Sequence, residues 1–282
     1  MGISKGGAFL LYQIRDQLNI GGSCLTLGKQ DIVLSRNDLK KLQKHFKINI
    51  GISDDFKIED TDLFKSLGFD SMESLDYSNF EGASIIQDLN LPVPIDLQGK
   101  YDYIYDGGTL EHVFNFPQAL KNVYTMLKTN GSVIHALPSS NHVDHGFYMF
   151  SPIALYEFYV QNNWRIEEFI IFEYHEDHAY RKWRFHEYEP GKFDQLSFGG
   201  WGKSMLGIFC VAVKTEFSTA DVNPQQQSYV NRWEHAPVLK NGLASSLNAK
   251  LGKLPFIQRM IRRLYFAYLG VTRMKPKYRW KF

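Results

Sequence analysis

Short apolar runs alternate along the chain with longer stretches in which apolar residues recur every three or four positions. Residues 8–18 predict a short helix, and "SCLTLG" (23–28) reads as a first buried strand. "SRNDLKKLQKHF" then places Leu39, Leu42 and Phe46 on one helical face behind a serine or asparagine start. Within residues 47–72 "DLFKSLGF" predicts an extra helix. "ESLDYS" is a short second strand containing Asp76, and "GASIIQDLNLPVP" is a third, closed by a proline pair. "YDYIYDGG" predicts a fourth strand, "FPQALKNVYTMLKT" a helix, and "GSVIHALP" a fifth strand entered through the turn Thr129-Asn130-Gly131. After the helix "SPIALYEFYVQNNW" come a sixth strand, "RIEEFIIFEY", and a seventh, "SMLGIFCVAVK". A long aromatic and polar insertion, residues 177–203, separates those two in place of a helix. The alternation predicts an α/β fold: a doubly wound, mostly parallel seven-stranded sheet with helices on both faces.

From Glu216 the character changes. "STADVNPQQQS" reads as a linker and "LGKLPFIQRMIRRLYFAYLGV" as a basic amphipathic helix. Beyond it Arg273, Lys275, Lys277, Arg279 and Lys281 are interleaved with Tyr278, Trp280 and Phe282. The expected organisation is therefore a domain over residues 1–215 and a C-terminal appendage over 216–282. Two fates are open to the appendage. It can lie weakly on an anionic membrane surface, each basic group contributing about 1 kcal/mol, or its apolar stripe can pack on the domain or on a second copy in a homo-oligomer.

Composition narrows the function classes. With 282 residues and 44% hydrophobic positions the chain can bury a large core, and a net charge of +2 is too balanced for a protein coated by nucleic acid, so no nucleic-acid partner is expected. No run of about 18 apolar residues is present to span a membrane. Cys24 and Cys210 each sit inside an apolar run, so packed thiols are expected. Together with a start that lacks a secretory pattern, they suit a cytoplasmic protein.

Chemistry concentrates in "DGGTLEHV" (106–113), at the end of the fourth strand. Ligands of open α/β sheets bind outside the carboxyl ends of the strands, and a glycine pair there lets backbone approach a ligand without interference from Cβ. A second loop, "SSNHVDHGFYMFSP", follows the fifth strand and carries His142, Asp144, His145 and Tyr148.

The ordered set of motifs resembles the class I S-adenosylmethionine-dependent methyltransferases, and "YDYIYDGGTLEHV" with "LKTNGSVI" resembles their type 11 group. The resemblance spans residues 22–214 and implies a Rossmann-like methyltransferase fold whose seventh strand inserts antiparallel. It implies S-adenosyl-L-methionine as cofactor and a family set of contacts: Gly28 at the first turn, Asp76 on the ribose hydroxyls, Asp88 and the Leu89 N–H on the adenine, and Gly107 beside the sulfonium. Two departures stand out. Only Gly28 represents the family's glycine-rich first turn, with no acid before it, so Gln30 either replaces lost hydrogen bonds or is an exposed loop residue. In addition, Asp76 lies far enough from Gly28 that it can also be a turn or capping acid.

Methyl transfer to oxygen needs a base near the acceptor, and His145 is the first candidate, with His112 of the "EH" pair as the second. In some ubiquinone-pathway relatives that segment holds a metal through an acid three positions before the glutamate. Here that position is Gly108, so no metal is expected. His175, His178 and His186 match no zinc spacing. Trp183, Phe185 and Tyr188 either stack on an acceptor ring or belong to the core. The expected acceptor is a small molecule or a glycan. Two other classes stay open: a degenerate cofactor-binding or scaffold module without turnover, and a nicotinamide oxidoreductase, against which the missing G-x-G-x-x-G counts.

Overall fold

The computed structural model describes residues 2–51, 58–175, 182–197, 199–235, 260, 264, 268 and 276–281. Its elements run β1 (Gly2–Ile3), α1 (Lys5–Leu18), β2 (Ser23–Leu27), β3 (Asp31–Ile32), α2 (Arg36–Phe46), α3 (Asp60–Leu67), β4 (Ser71–Asp76) and β5 (Ile85–Ile86). They continue with β6 (Tyr101–Asp106), α4 (Phe116–Met126), β7 (Leu127–Pro138), α5 (Pro152–Gln161), β8 (Arg165–Tyr174), β9 (Lys182–Glu187), β10 (Met205–Val213), α6 (Gln227–His235) and β11 (Tyr278–Lys281).

The helices start where the side chains allow. Ser35 caps α2 by accepting from the Asp38 N–H while Asp38 answers the Ser35 N–H, a reciprocal box that satisfies two otherwise orphaned donors. Pro117 and Pro152 occupy the first turns of α4 and α5, where a missing N–H costs nothing.

The main sheet has nine strands among the described residues, in the order β11-β9-β8-β10-β7-β6-β2-β4-β5. This corrects the expected seven. Strands β5, β4, β2, β6 and β7 are parallel neighbours, and β10 inserts antiparallel between β7 and β8, as the resemblance implies. The two extra strands come from segments in which charged and aromatic residues alternate. Within the insertion, β9 pairs antiparallel with β8. The cationic end of the chain supplies β11, which pairs with β9 through Tyr278–Phe185 and Trp280–Trp183. Two boundaries also differ. The third strand is only Ile85–Ile86, and the fifth begins at Leu127, ahead of the turn that carries Asn130 at φ 66°.

Two cores flank the sheet. One contains α4 and α5 residues such as Leu120, Leu155 and Tyr159, the other α1, α2 and α3 residues such as Phe9, Leu39 and Leu63. Cys24 and Cys210 are buried free thiols, both pushed up from the usual thiol range by burial. Trp183 and Phe185 belong to the second core, 2% and 0% exposed, which settles their role as packing rather than ring stacking. Tyr188 packs against the first core and on Phe169. Buried Asn162 holds the segment after β10: its side chain donates to Val222 O and accepts from the Val222 N–H and the Thr219 hydroxyl. The predicted basic helix lies outside the described residues except Met260, Leu264 and Tyr268, which are exposed.

Candidate functional site

The parallel strands β5, β4, β2 and β6 end side by side, and the turns that leave them form one crevice edge. Leu27 is paired with Leu75 on one side and Asp106 on the other, so Gly28, Asp76 and Gly107 follow adjacent strand ends. Gly28 adopts φ 72°, in the left-handed region that favours glycine, and donates its N–H to Leu75 O at 2.7 Å. That bond commits the Gly28 N–H to the protein.

Half-buried Asp76 accepts from the Tyr77 N–H through Oδ1 at 2.6 Å. Asp88 behaves similarly: Oδ1 accepts from the Asn90 N–H and side-chain amide, both at 2.8 Å. Among the described residues no donor meets the second oxygen of either carboxylate. The Leu89 N–H likewise takes no part in the hydrogen bonds of its turn, whereas Leu89 O accepts from Asn122.

Asn122 is a positioning residue that the sequence did not announce. It is 1% exposed on α4, donates to Leu89 O and Leu91 O at 3.0 and 2.9 Å, and accepts from the Val93 N–H at 3.3 Å. One buried amide thus fixes the loop after β5. Asn90 ties the same loop to the next one by accepting from the Asn115 N–H.

The glycine pair has two different reasons. A Cβ on Gly107 would lie 2.3 Å from Gln30 Oε1 and 2.6 Å from the Tyr105 ring. Gly108 takes φ 93°, and a Cβ there would lie 3.0 Å from Glu111 Oε1. Gln30 itself is 3% exposed, which excludes the exposed-loop alternative, and its amide donates to Leu27 O and Gly28 O. Beneath the pair, fully buried Asp106 accepts from the Thr109 and Leu110 N–H groups and contacts His135 Nδ1 at 2.7 Å, while His135 Nε2 meets the Tyr159 hydroxyl at 2.5 Å. The Thr109 hydroxyl donates to Leu27 O. The turn that presents Glu111 and His112 is therefore anchored from below.

His145 arrives from the loop after β7. That loop is held against the turn by the Tyr148 N–H donating to Glu111 O at 3.2 Å and by the Tyr148 hydroxyl donating to Phe114 O at 2.6 Å. Gly146 permits the approach, since a Cβ there would lie 2.9 Å from Glu111 O. His112 and His145 are exposed with ring centroids 5.3 Å apart, so both predicted histidines share one place. Glu111 lies between them, its side chain 1% exposed and Oε1 3.6 Å from His145 Nε2. Burial first, and the Asp106 charge second, push its carboxyl up to about 8. Burial also lowers His112, with the neighbouring His145 charge adding to it.

The later histidines do not join this group. His142 spends both ring nitrogens on Ser140 O and the Tyr174 hydroxyl, and buried His186 faces Glu173. His178 lies outside the described residues. Exposed Phe114, Val143, Phe147 and Met149 lie on the same two loops, where Phe114 and Phe147 meet edge to face at 5.5 Å.

No protein-family model and no curated protein matches the chain. Several solved structures are similar in shape. The 1,6-didemethyltoxoflavin-N1-methyltransferase of Burkholderia thailandensis, solved with its substrate and S-adenosylhomocysteine, aligns at 12% identity over 74% of this chain and 79% of that one, with TM-score 0.40. A Listeria monocytogenes protein provisionally named as an S-adenosylmethionine-dependent methyltransferase aligns at 12% identity over 77% and 100%, with TM-score 0.43. The YcgJ protein of Bacillus subtilis aligns at 12% identity over 73% and 98%, with TM-score 0.41. These are likenesses of shape, and the site is read from its own geometry.

Proposed function

We propose that the chain is an S-adenosylmethionine-dependent methyltransferase that acts on a hydroxyl of a small-molecule or sugar acceptor. The observation that carries this is the row of free acceptors along consecutive strand ends. Among the described residues Asp76 and Asp88 each keep one carboxylate oxygen without a donor, beside a Leu89 N–H that takes no part in its turn, and this matches ribose hydroxyls and an adenine edge. Contacts for the amino-acid end are thinner, because Gly28 has already given its N–H to Leu75 O. When bound, the cofactor supplies a methyl group on a positively charged sulfur, and transfer to oxygen leaves a neutral thioether.

The chain's own part is placement and proton removal. The Gly107-Gly108 turn packs closely on Gln30, Tyr105 and Glu111, which fixes the loop that would hold acceptor and methyl carbon in line, and orientation of this kind supplies much of the acceleration. In the metal-free chain His145 Nε2 is the base that takes the hydroxyl proton as the new C–O bond forms, with His112 as the second candidate.

Calorimetric titration with S-adenosylmethionine, S-adenosylhomocysteine and NAD tests the class. Binding of the two sulfur ligands and not NAD is expected, and NAD binding alone would overturn it. A binding module without turnover is the second reading, favoured by the committed Gly28 N–H. Sulfur-ligand binding with no transfer to any panel of hydroxylated acceptors would select it.

A further inference from the structure

Three side chains from two loops converge at the acceptor end of the crevice. The donor atoms of Glu111, His112 and His145 lie within 4.8 Å of one another. Glu111 Oε1 faces His145 Nε2 at 3.6 Å, while Glu111 Oε2 is buried and meets no hydrogen-bond partner among the described residues. A buried carboxylate oxygen without a donor is a costly arrangement that calls for a partner. The missing Cβ atoms of Gly108 and Gly146 leave room around Glu111: a Cβ would lie 3.0 Å from Oε1 at the first and 3.1 Å from Cγ at the second.

We propose that Glu111, His112 and His145 form a binding site for a divalent transition-metal ion of the zinc type, with open coordination positions facing the acceptor. One carboxylate and two neutral imidazoles suit zinc, cobalt or nickel, whereas magnesium and calcium prefer shells built of oxygen. At a tetrahedral ion with bonds of about 2.1 Å, ligand atoms stand roughly 3.4 Å apart, so rotation of the exposed imidazoles toward Glu111 is what closes the site. With the ion bound, the imidazoles are ligands rather than bases, and the ion acidifies a coordinated acceptor hydroxyl, which releases its proton to solvent. That use rests on the methyl-transfer reading above, but the ion site does not. The expectation of no metal rested on Gly108 occupying the acid position of the "EH" segment. The third ligand comes instead from a loop that no local motif connects to it.

The test uses the full chain with Co2+ as spectroscopic probe and Zn2+ in calorimetry. One ion per chain is expected, with micromolar or tighter affinity and visible absorption bands from the cobalt complex. Glu111→Gln, His112→Ala and His145→Ala should each weaken it by about tenfold or more. His142→Ala, whose ring nitrogens are already engaged, should leave affinity within about twofold. Thermal melts establish that each variant folds, and His145, being exposed, keeps the test valid if the buried Glu111 variant does not. Absence of one-to-one Co2+ binding in the parent chain, or equal binding in the His112 and His145 variants, overturns the site. An S-adenosylhomocysteine titration of the same sample separates the two proposals: a chain that binds it and no metal loses only the ion site, and a chain that binds metal alone loses only the methyl-transfer reading.

Discussion

Asp76 and Asp88 bring the same side chain to neighbouring strand ends, and each is half engaged by its own turn. If the free oxygen of Asp88 receives the adenine amino group, Asp88→Ala should weaken S-adenosylhomocysteine binding by about 1–3 kcal/mol, the usual cost of removing a partly buried acceptor opposite a donor. Asp76→Ala should act alike through the ribose, and calorimetry on the folded variants checks both. Asn122 gives a contrasting case. It touches no ligand in this scheme, so Asn122→Ala should lower the stability of the fold by about 1–3 kcal/mol, because the Val93 N–H and two carbonyls lose their partner. Asn122→Asp should be no milder, because it keeps the acceptor for Val93 but sets a buried carboxylate oxygen against Leu89 O and Leu91 O. Denaturant melts of the two variants check this.

At the scale of elements, the joint between β8 and β9 depends on one carboxylate. Burial alone would raise Glu173, but hydrogen bonds from His186 and the Ser204 hydroxyl and the Arg184 charge outweigh it and hold the carboxyl at about 2. Because this value is depressed below the ordinary carboxylate range, the stabilisation is fully present above about pH 4.5 and is lost as pH falls through about 2. Melting temperature should therefore fall across that window. Glu173→Gln should melt lower at neutral pH and follow a flatter profile below pH 4.5, which differential scanning calorimetry can measure. The same region shows what the sequence could not express. Strands β2, β8 and β10 each carry an apolar run buried on both faces, so composition alone marked them. Strand β9 carries Lys182, Arg184 and His186 in alternation with buried Trp183 and Phe185, a pattern that also fits a polar loop until a neighbouring edge is available to pair with it. The candidate site divides likewise. Gly28, Asp76, Asp88 and Gly107 were visible as strand-ending residues, whereas the meeting of Glu111 with His145 depends on how two loops fold together.

For the whole molecule, β11 matters most. Its Trp280 packs 5.1 Å from Phe9 and 4.3 Å from His45 between ring centroids, and Lys277 pairs with Glu168 at 3.0 Å. This places the chain's last described residues in the sheet, so we propose that the β11 segment, rather than the predicted helix whose Met260, Leu264 and Tyr268 are exposed, docks the region after Glu234 on the domain. The full chain should fail to co-sediment with anionic vesicles at low salt, while a chain ending at Glu234 should lose solubility. Co-sedimentation that disappears as salt rises would favour the membrane instead. The pairing of β11 with β9 also bears on time. These strands are separated by about ninety residues of chain, and closing so long a loop comes at an entropic cost that delays the contact until the rest of the sheet can reward it. Refolding followed by tryptophan fluorescence should accordingly show a slow final phase whose amplitude disappears in Trp280→Phe. Until that phase is complete, the outer edge of β9 and the side of Phe9 that meets Trp280 stand open, so refolding yield should decline as protein concentration rises.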